Sequence, residues 1–391
     1  MEKIGHKGSF SIHNKIKLIK GGSSYFDLIN QLIGQAKQTI HFQTYIFDSD
    51  ETGKLIAEAL MLASKRGVKV FLMVDGYASQ KMPKPFLNKL IFSGVNFRFF
   101  EPFFKSKYFY FGRRMHHKVL VTDATVAVVG GINISNRYND LPGMPAWLDF
   151  ALLAEGEIAA ELFSYCEKNW KGLEFRLASF SKTSNLLHSN FSYLNTCKVR
   201  MRRNDWIKRK AEISNTYADI LRNATTNVII FGSYFLPGKK IRKLLQKASE
   251  RGIEIKIVTA GKSDIKLAKY AERWLYDWLL RKNIKLYEYQ PTVLHAKVAT
   301  CDGQFFTIGS YNVNNISAYA SVELNVDVYD STFVAAVETE LKAIIANNCI
   351  PISTSYRKQS KNIFSQFLQW CAYQFIRVSF YLVTFYYKQK K

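Results

Sequence analysis

Two stretches decide how this chain reads: RMHHKVLVTDATVAVVGGINIS at 114–135 and VLHAKVATCDGQFFTIGSYNVN at 293–314. Both follow H-x-K-x4-D-x6-G-[GS]-x-N. His116 and His295 stand 179 residues apart, and the same offset relates Lys118 to Lys297, Asp123 to Asp302, Gly130 to Gly309 and Asn133 to Asn312. One constant offset over five positions marks a duplicated unit. In each copy a strand-length apolar run follows the histidine, and a period of two places His and Lys on one strand face. A second apolar run then ends in small residues and an Asn, so each copy predicts a hairpin.

Outward from the motifs, strand and helix alternate. Residues 40–47 read as a strand, 52–66 as an amphipathic helix that stops at Gly67, and 68–75 as a strand. The second half repeats the order with a strand at 228–235, a helix at 239–251 and a strand at 253–259. This alternation predicts an α/β fold with helices packed over a largely buried sheet. The halves divide as 1–195 and 196–350, with 351–391 as a further C-terminal element. Just past the boundary, KVRMRRNDWIKRK at 198–210 carries seven basic residues and one acid, which suits either a solvated face or a ligand-binding run.

Composition narrows the function. The chain has 391 residues, 22% charged and 48% hydrophobic, with 8 Pro and 21 Gly, which excludes a disordered, collagen-like or polytopic membrane protein. Lys and Arg exceed Asp and Glu by 55 − 31 = 24, a surplus that favours a polyanionic partner, nucleic acid or anionic lipid. Five cysteines never form CxxC and seven histidines are scattered, so neither a disulfide framework nor a metal site is expected, and no cofactor. The first 22 residues lack an apolar run of the kind that a secretory signal needs, and a reducing compartment is expected.

Two such hairpins facing each other bring two imidazoles, two ammonium groups and two carboxamides to one point. That set suits a phosphodiester, whose oxygens need fixed positive charge and donors when phosphorus is attacked. Lys118, Lys297, Asn133 and Asn312 supply them without a metal. Gly130, Gly131, Gly309 and Ser310 are small enough for a phosphate to approach the backbone. One imidazole attacks to form a phosphohistidine while the other protonates the leaving alkoxide and then deprotonates the next alcohol or water. Each histidine also needs a group that fixes its tautomer, and the acid that follows it in its own half is the expected partner: Asp149 for His116, Glu323 for His295.

The paired motifs resemble the phospholipase D superfamily, whose signature is two HxKxxxxD motifs each followed by GSxN. Within it the chain is most similar to bacterial cardiolipin synthases, through Gly130-Gly131 before Ile132-Asn133, Trp147-Leu148-Asp149, the YFLP turn at 234–237 and LHAK at 294–297. The resemblance implies two similar α/β/α halves packed face to face around one shared active site. It implies His116 and His295 as nucleophile and acid/base, with His116 favoured as nucleophile, and Lys118, Lys297, Asn133 and Asn312 on the phosphate. Asp123 and Asp302 belong to the same motifs, in a more structural part. His117 alternates away from the site. Many members carry Arg where this chain has Leu148, Asp for Asn314, Arg for Ile316 and Asn for Ser321. The implied reaction joins two phosphatidylglycerols into cardiolipin and releases glycerol; a phospholipase D-type hydrolase or a nuclease is the alternative.

The C-terminal segment favours lipid over nucleic acid. Residues 355–391 are basic and contain no acid, and 363–387 read as an aromatic-rich amphipathic helix. Such a helix lies in the headgroup region of an anionic membrane, which predicts peripheral association at the cytoplasmic face. A core helix and a membrane span are the other readings, the span opposed by Arg377 and the glutamines near its middle. The run FFKSKYFYFGRR at 103–114 would anchor the mouth of the site at a membrane or stack single-stranded nucleic acid, or else form a buried strand and loop.

Overall fold

A computed structural model describes residues 9–102, 113–172, 196–319, 321–353 and 362–388. The first half contributes β1 (Asn14–Lys20), α1 (Ser23–Gln35), β2 (Thr39–Thr44), α2 (Glu51–Lys65), β3 (Lys69–Asp75), α3 (Lys84–Phe92) and β4 (Asn96–Phe100). It continues with the two-residue β5 (Arg114–Met115), β6 (Lys118–Thr122), β7 (Val126–Gly130), β8 (Phe150–Gly156) and α4 (Glu157–Lys171). The second half opens with β9 (Lys198–Asp205), β10 (Lys210–Ala211), α5 (Glu212–Asn223), β11 (Asn227–Gly232), α6 (Lys239–Glu250), β12 (Glu254–Lys262) and α7 (Lys266–Arg281). Then come β13 (Lys285–Val293), β14 (Lys297–Cys301), β15 (Phe305–Gly309), α8 (Asn315–Tyr319), β16 (Ser321–Tyr329), α9 (Ser331–Asn348), β17 (Cys349–Ile352) and α10 (Ile363–Lys388).

The sheets share one plan. The first runs β1-β8-β7-β6-β2-β3-β4 and the second β10-β9-β16-β15-β14-β11-β12-β13-β17. Each centres on a motif hairpin, β6–β7 or β14–β15, flanked by a strand whose next two neighbours run parallel to it. The crossovers between those parallel strands are helices (α2, α3; α6, α7), as a parallel pair requires. Where the sheets face each other, α4, α9 and apolar side chains of both halves make one core, including Val119, Phe150, Phe231, Val298 and Leu324. Each outer face has its own core beneath its helices. The predicted α/β architecture of two packed halves is what the molecule has.

One sequence expectation changes here. The basic run at 198–210 is mostly β9, and its alternation turns Arg200 and Arg202 inward. Arg200 grips Asp327 through Nε and Nη2 at 3.1 and 2.9 Å, and Arg202 donates to Thr216. These arginines are neither solvated nor a ligand face, because buried charges persist only when paired. The boundary near 195 lies outside the described residues, as does most of the 103–114 run. Its last two residues are described: Arg113 is buried between Glu101 and Asp205, tying the halves together just before His116.

The helix expected at 363–387 is α10, and one of its faces packs on protein while the other is exposed. Gln369, Ala372, Tyr373 and Ile376 turn toward α7, where Ala372 packs with Leu236, Ala271 and Leu275. Phe364, Phe367, Trp370, Phe375 and Val378 stand exposed. Among the described residues no helix is long and apolar enough to cross a membrane.

Candidate active site

Both hairpins turn at a residue pair in the left-handed region, Asp123-Ala124 (φ 52° and 56°) and Asp302-Gly303 (φ 54° and 64°), the conformation a two-residue hairpin turn demands. Those turns lie at the far end of β6 and β14 from the histidines. Asp123 accepts the backbone N–H groups of Lys37, Gln38 and Thr39, and Asp302 those of Thr225, Thr226 and Asn227. The two motif aspartates thus clamp the start of the adjoining strand.

At the near end the halves are stitched together twice. His116 N–H donates to Val322 O at 2.9 Å, beside a parallel bridge of β5 to β16, and His295 N–H donates to Leu148 O at 2.8 Å. Val322 and Leu148 immediately precede Glu323 and Asp149. The backbone therefore hands each histidine the other half's acid. His116 Nδ1 lies 3.0 Å from Glu323 Oε2, and His295 Nδ1 lies 2.6 Å from Asp149 Oδ2. The expected partners are exchanged. Within one sheet β7 separates β6 from β8, and two strand spacings of roughly 5 Å each put a half's own acid beyond hydrogen-bond reach.

Burial and mutual repulsion set the electrostatics. The His116 side chain is 18% exposed, whereas Glu323 and Asp149 are buried. Burial lowers the pKa of His116, reinforced by Lys118 and opposed by Glu323. His295 is lowered further, by burial and then by the charges of Lys297, Lys118 and His116. Burial and Lys297 bring Lys118 down to about 7. Burial raises Asp149 to about 6. For Glu323 the His116 charge and the hydrogen bonds from His116 and Ser310 outweigh burial and hold the carboxyl below its ordinary value. Two imidazoles and two ammonium groups thus feel one another, and an anion placed among them would relieve that repulsion.

The remaining residues divide. Lys118 and Lys297 donate to the carbonyls of His116 and His295, and Lys297 Nζ lies 2.9 Å from His295 Nδ1. Gly131 serves the carboxylate: a Cβ there would fall 2.5 Å from Asp149 Oδ2. Gly130 and Gly309 let the neighbouring strand approach, their added Cβ meeting Phe150 O and Leu324 O. Ser310 donates to Glu323. Asn133 is engaged on both sides, accepting from Ile46 N–H and donating to the Tyr138 hydroxyl at 2.9 Å. Asn312 accepts from Ser233 through Oδ1. His117 is buried against Gln43 and Tyr165, clear of the pocket. The sequence reading missed Tyr45, which packs edge-on to His116, and Tyr138, which flanks His295 together with Trp147. Tyr138 was findable, standing 179 residues before Ser317 just past the repeated Asn.

A family model described as "Cardiolipin synthase, PLD-like domain" matches residues 29–142 and 217–345, one segment per half. The chain belongs to the cardiolipin synthase-like branch of the phospholipase D superfamily. Cardiolipin synthase B of Escherichia coli O6:H1 is 32% identical over 346 residues, covering 88% of this chain and 83% of that protein. Cardiolipin synthase B of Salmonella typhi is 31% identical over 347 residues, with the same coverages. Among solved structures, phosphatidylserine synthase of Haemophilus influenzae Rd KW20 shares the fold at a TM-score of 0.74 and 15% identity, over 96% of this chain and 97% of that one. Membership in this phospholipase D branch makes the protein a phospholipid-modifying enzyme.

Proposed function

We propose that this enzyme is a membrane-surface phosphatidyltransferase of cardiolipin synthase type, converting two phosphatidylglycerols into cardiolipin and glycerol. The observation that carries this reading is the crossed pair of histidine–carboxylate contacts beside Lys118 and Lys297, in a chain whose relatives are cardiolipin synthases. His116 Nε2 bonds to phosphorus as the bond to the glycerol oxygen breaks, and His295 Nε2 gives that oxygen its proton. The hydroxyl of a second phosphatidylglycerol then attacks, passing its proton to His295 as the phosphorus–nitrogen bond breaks. Lys118 and Lys297 offset the charge that develops on the phosphoryl oxygens. Asp149 and Glu323 hold each ring with Nε2 toward phosphorus.

The surroundings support a lipid surface as the place of reaction. Phe364, Phe367, Trp370 and Phe375 of α10, Leu267 and Tyr270 of α7, and Ile316 and Tyr319 of α8 are exposed on three helices that pack together. Asp264, just before α7, acts electrostatically on both Lys297 and Tyr138. Aromatic side chains beside basic ones fit the headgroup region of an anionic membrane, and the cytoplasmic face offers such lipid. Purified protein incubated with phosphatidylglycerol vesicles is expected to yield cardiolipin and free glycerol. Phosphatidic acid as the sole product would make the enzyme a hydrolase. DNA cleavage with no lipid product would replace this reading by the nuclease one.

A further inference from the structure

The duplicated halves differ at one position that touches a reacting atom. Tyr138 stands 179 residues before Ser317, the offset of the motif itself. Its hydroxyl lies 3.4 Å from His295 Nε2 and accepts a hydrogen bond from Asn133 Nδ2 at 2.9 Å. While His295 Nε2 is unprotonated, the phenol's own hydrogen is the one available to it. The ring is fixed edge-on to His295 at 5.1 Å and to Trp147 at 5.3 Å, and only 2% of the residue is exposed. Ser317 does something else, accepting the Asn312 N–H at 3.3 Å. Among the described residues no side chain hydrogen-bonds His116 Nε2.

We propose that Tyr138 is a positioning residue that divides the labour between the two histidines, holding His295 Nε2 for proton transfer and leaving His116 Nε2 to take the phosphoryl group. The inference rests on the covalent transfer described above. While His295 is neutral, the phenol donates to its Nε2; once that nitrogen carries a proton, the phenol oxygen accepts it. Either way His295 Nε2 is kept aimed beside the phosphorus and is less available to bond to it. The other charged groups facing His295 are Asp149, Lys297, Lys118, His116 and Arg137, and Tyr138 alone among these neighbours meets Nε2 with a neutral hydroxyl.

The test is acid quenching during turnover on phosphatidylglycerol vesicles, with peptide mapping of the modified histidine, in wild type and Tyr138→Phe. Wild type is expected to carry the adduct on His116 alone. Tyr138→Phe is expected to distribute it over both histidines while kcat falls about tenfold at little changed KM. In ¹⁵N-histidine spectra of the same variant without substrate, the His295 Nε2 resonance should move and His116 should stay in place. An adduct confined to His116 in both proteins, with an unmoved His295 resonance, would overturn the assignment of Tyr138 and leave the transfer reading standing. No histidine adduct in the wild type would overturn both.

Discussion

His116 and His295 hang from hairpins of one design, yet they live in different surroundings. His116 is partly open, edged by Tyr45 and paired with a glutamate held low by its hydrogen bonds. His295 is enclosed by Tyr138 and Trp147 and paired with an aspartate that burial raises to about 6. The duplication conserved the frame that brings two rings to one pocket, while side chains outside the motif made the rings unequal. A reaction in which one imidazole attacks and the other moves protons needs that inequality.

The largest expected effect treats the two as equals. His116→Ala and His295→Ala should each lower kcat by about 10⁴-fold or more, and the double variant should be little worse, because the pair acts as a unit. Additive losses, measured in single-turnover assays, would break the shared-pocket account. A smaller effect separates the rings. Asp149→Asn and Glu323→Gln should each lower kcat by about 10²-fold, within the range for losing an orienting group. Wild-type activity should fall below about pH 6 as Asp149 takes up a proton, and above about pH 7 as Lys118 loses its charge. Asp149→Asn should abolish the acid limb and Glu323→Gln should retain it, as pH–rate profiles of kcat/KM will read. The smallest effect concerns the motif aspartates. Asp302→Ala should cost about 1–3 kcal/mol and Asp123→Ala somewhat less, since Asp302 also accepts two threonine hydroxyls. Both variants should melt a few degrees lower with kcat unchanged; a loss of kcat at full stability would return them to the reacting groups.

The architecture was legible because it is repeated. A constant offset, alternating strand and helix periods, and glycine stops at Gly67 and Gly252 are local signals, and the folded chain follows them closely. The members of the site were legible for the same reason. Their pairing was not. Which acid meets which histidine depends on how two sheets cross, and Leu148 and Val322, whose carbonyls decide it, carry no mark in sequence. The small size of the glycines also serves strand contacts and the Asp149 carboxylate, needs that look in sequence the same as room for a phosphate. In β9 the packing of Arg200 and Arg202 onto Asp327 overrode the reading of a basic run as surface, a long-range pairing that charge counting cannot reveal. The C-terminal helix was found, but only the fold shows that its glutamine-bearing side faces protein and its aromatic side faces out.

The crossing itself can be measured directly. ¹⁵N-histidine spectra of Asp149→Asn and Glu323→Gln report which ring each carboxylate holds, through the Nδ1–H resonance that a carboxylate partner shifts downfield. Asp149→Asn is expected to shift His295 and leave His116 in place, with Glu323→Gln doing the reverse. If each substitution instead moves the histidine of its own half, the halves do not exchange their acids and the account fails.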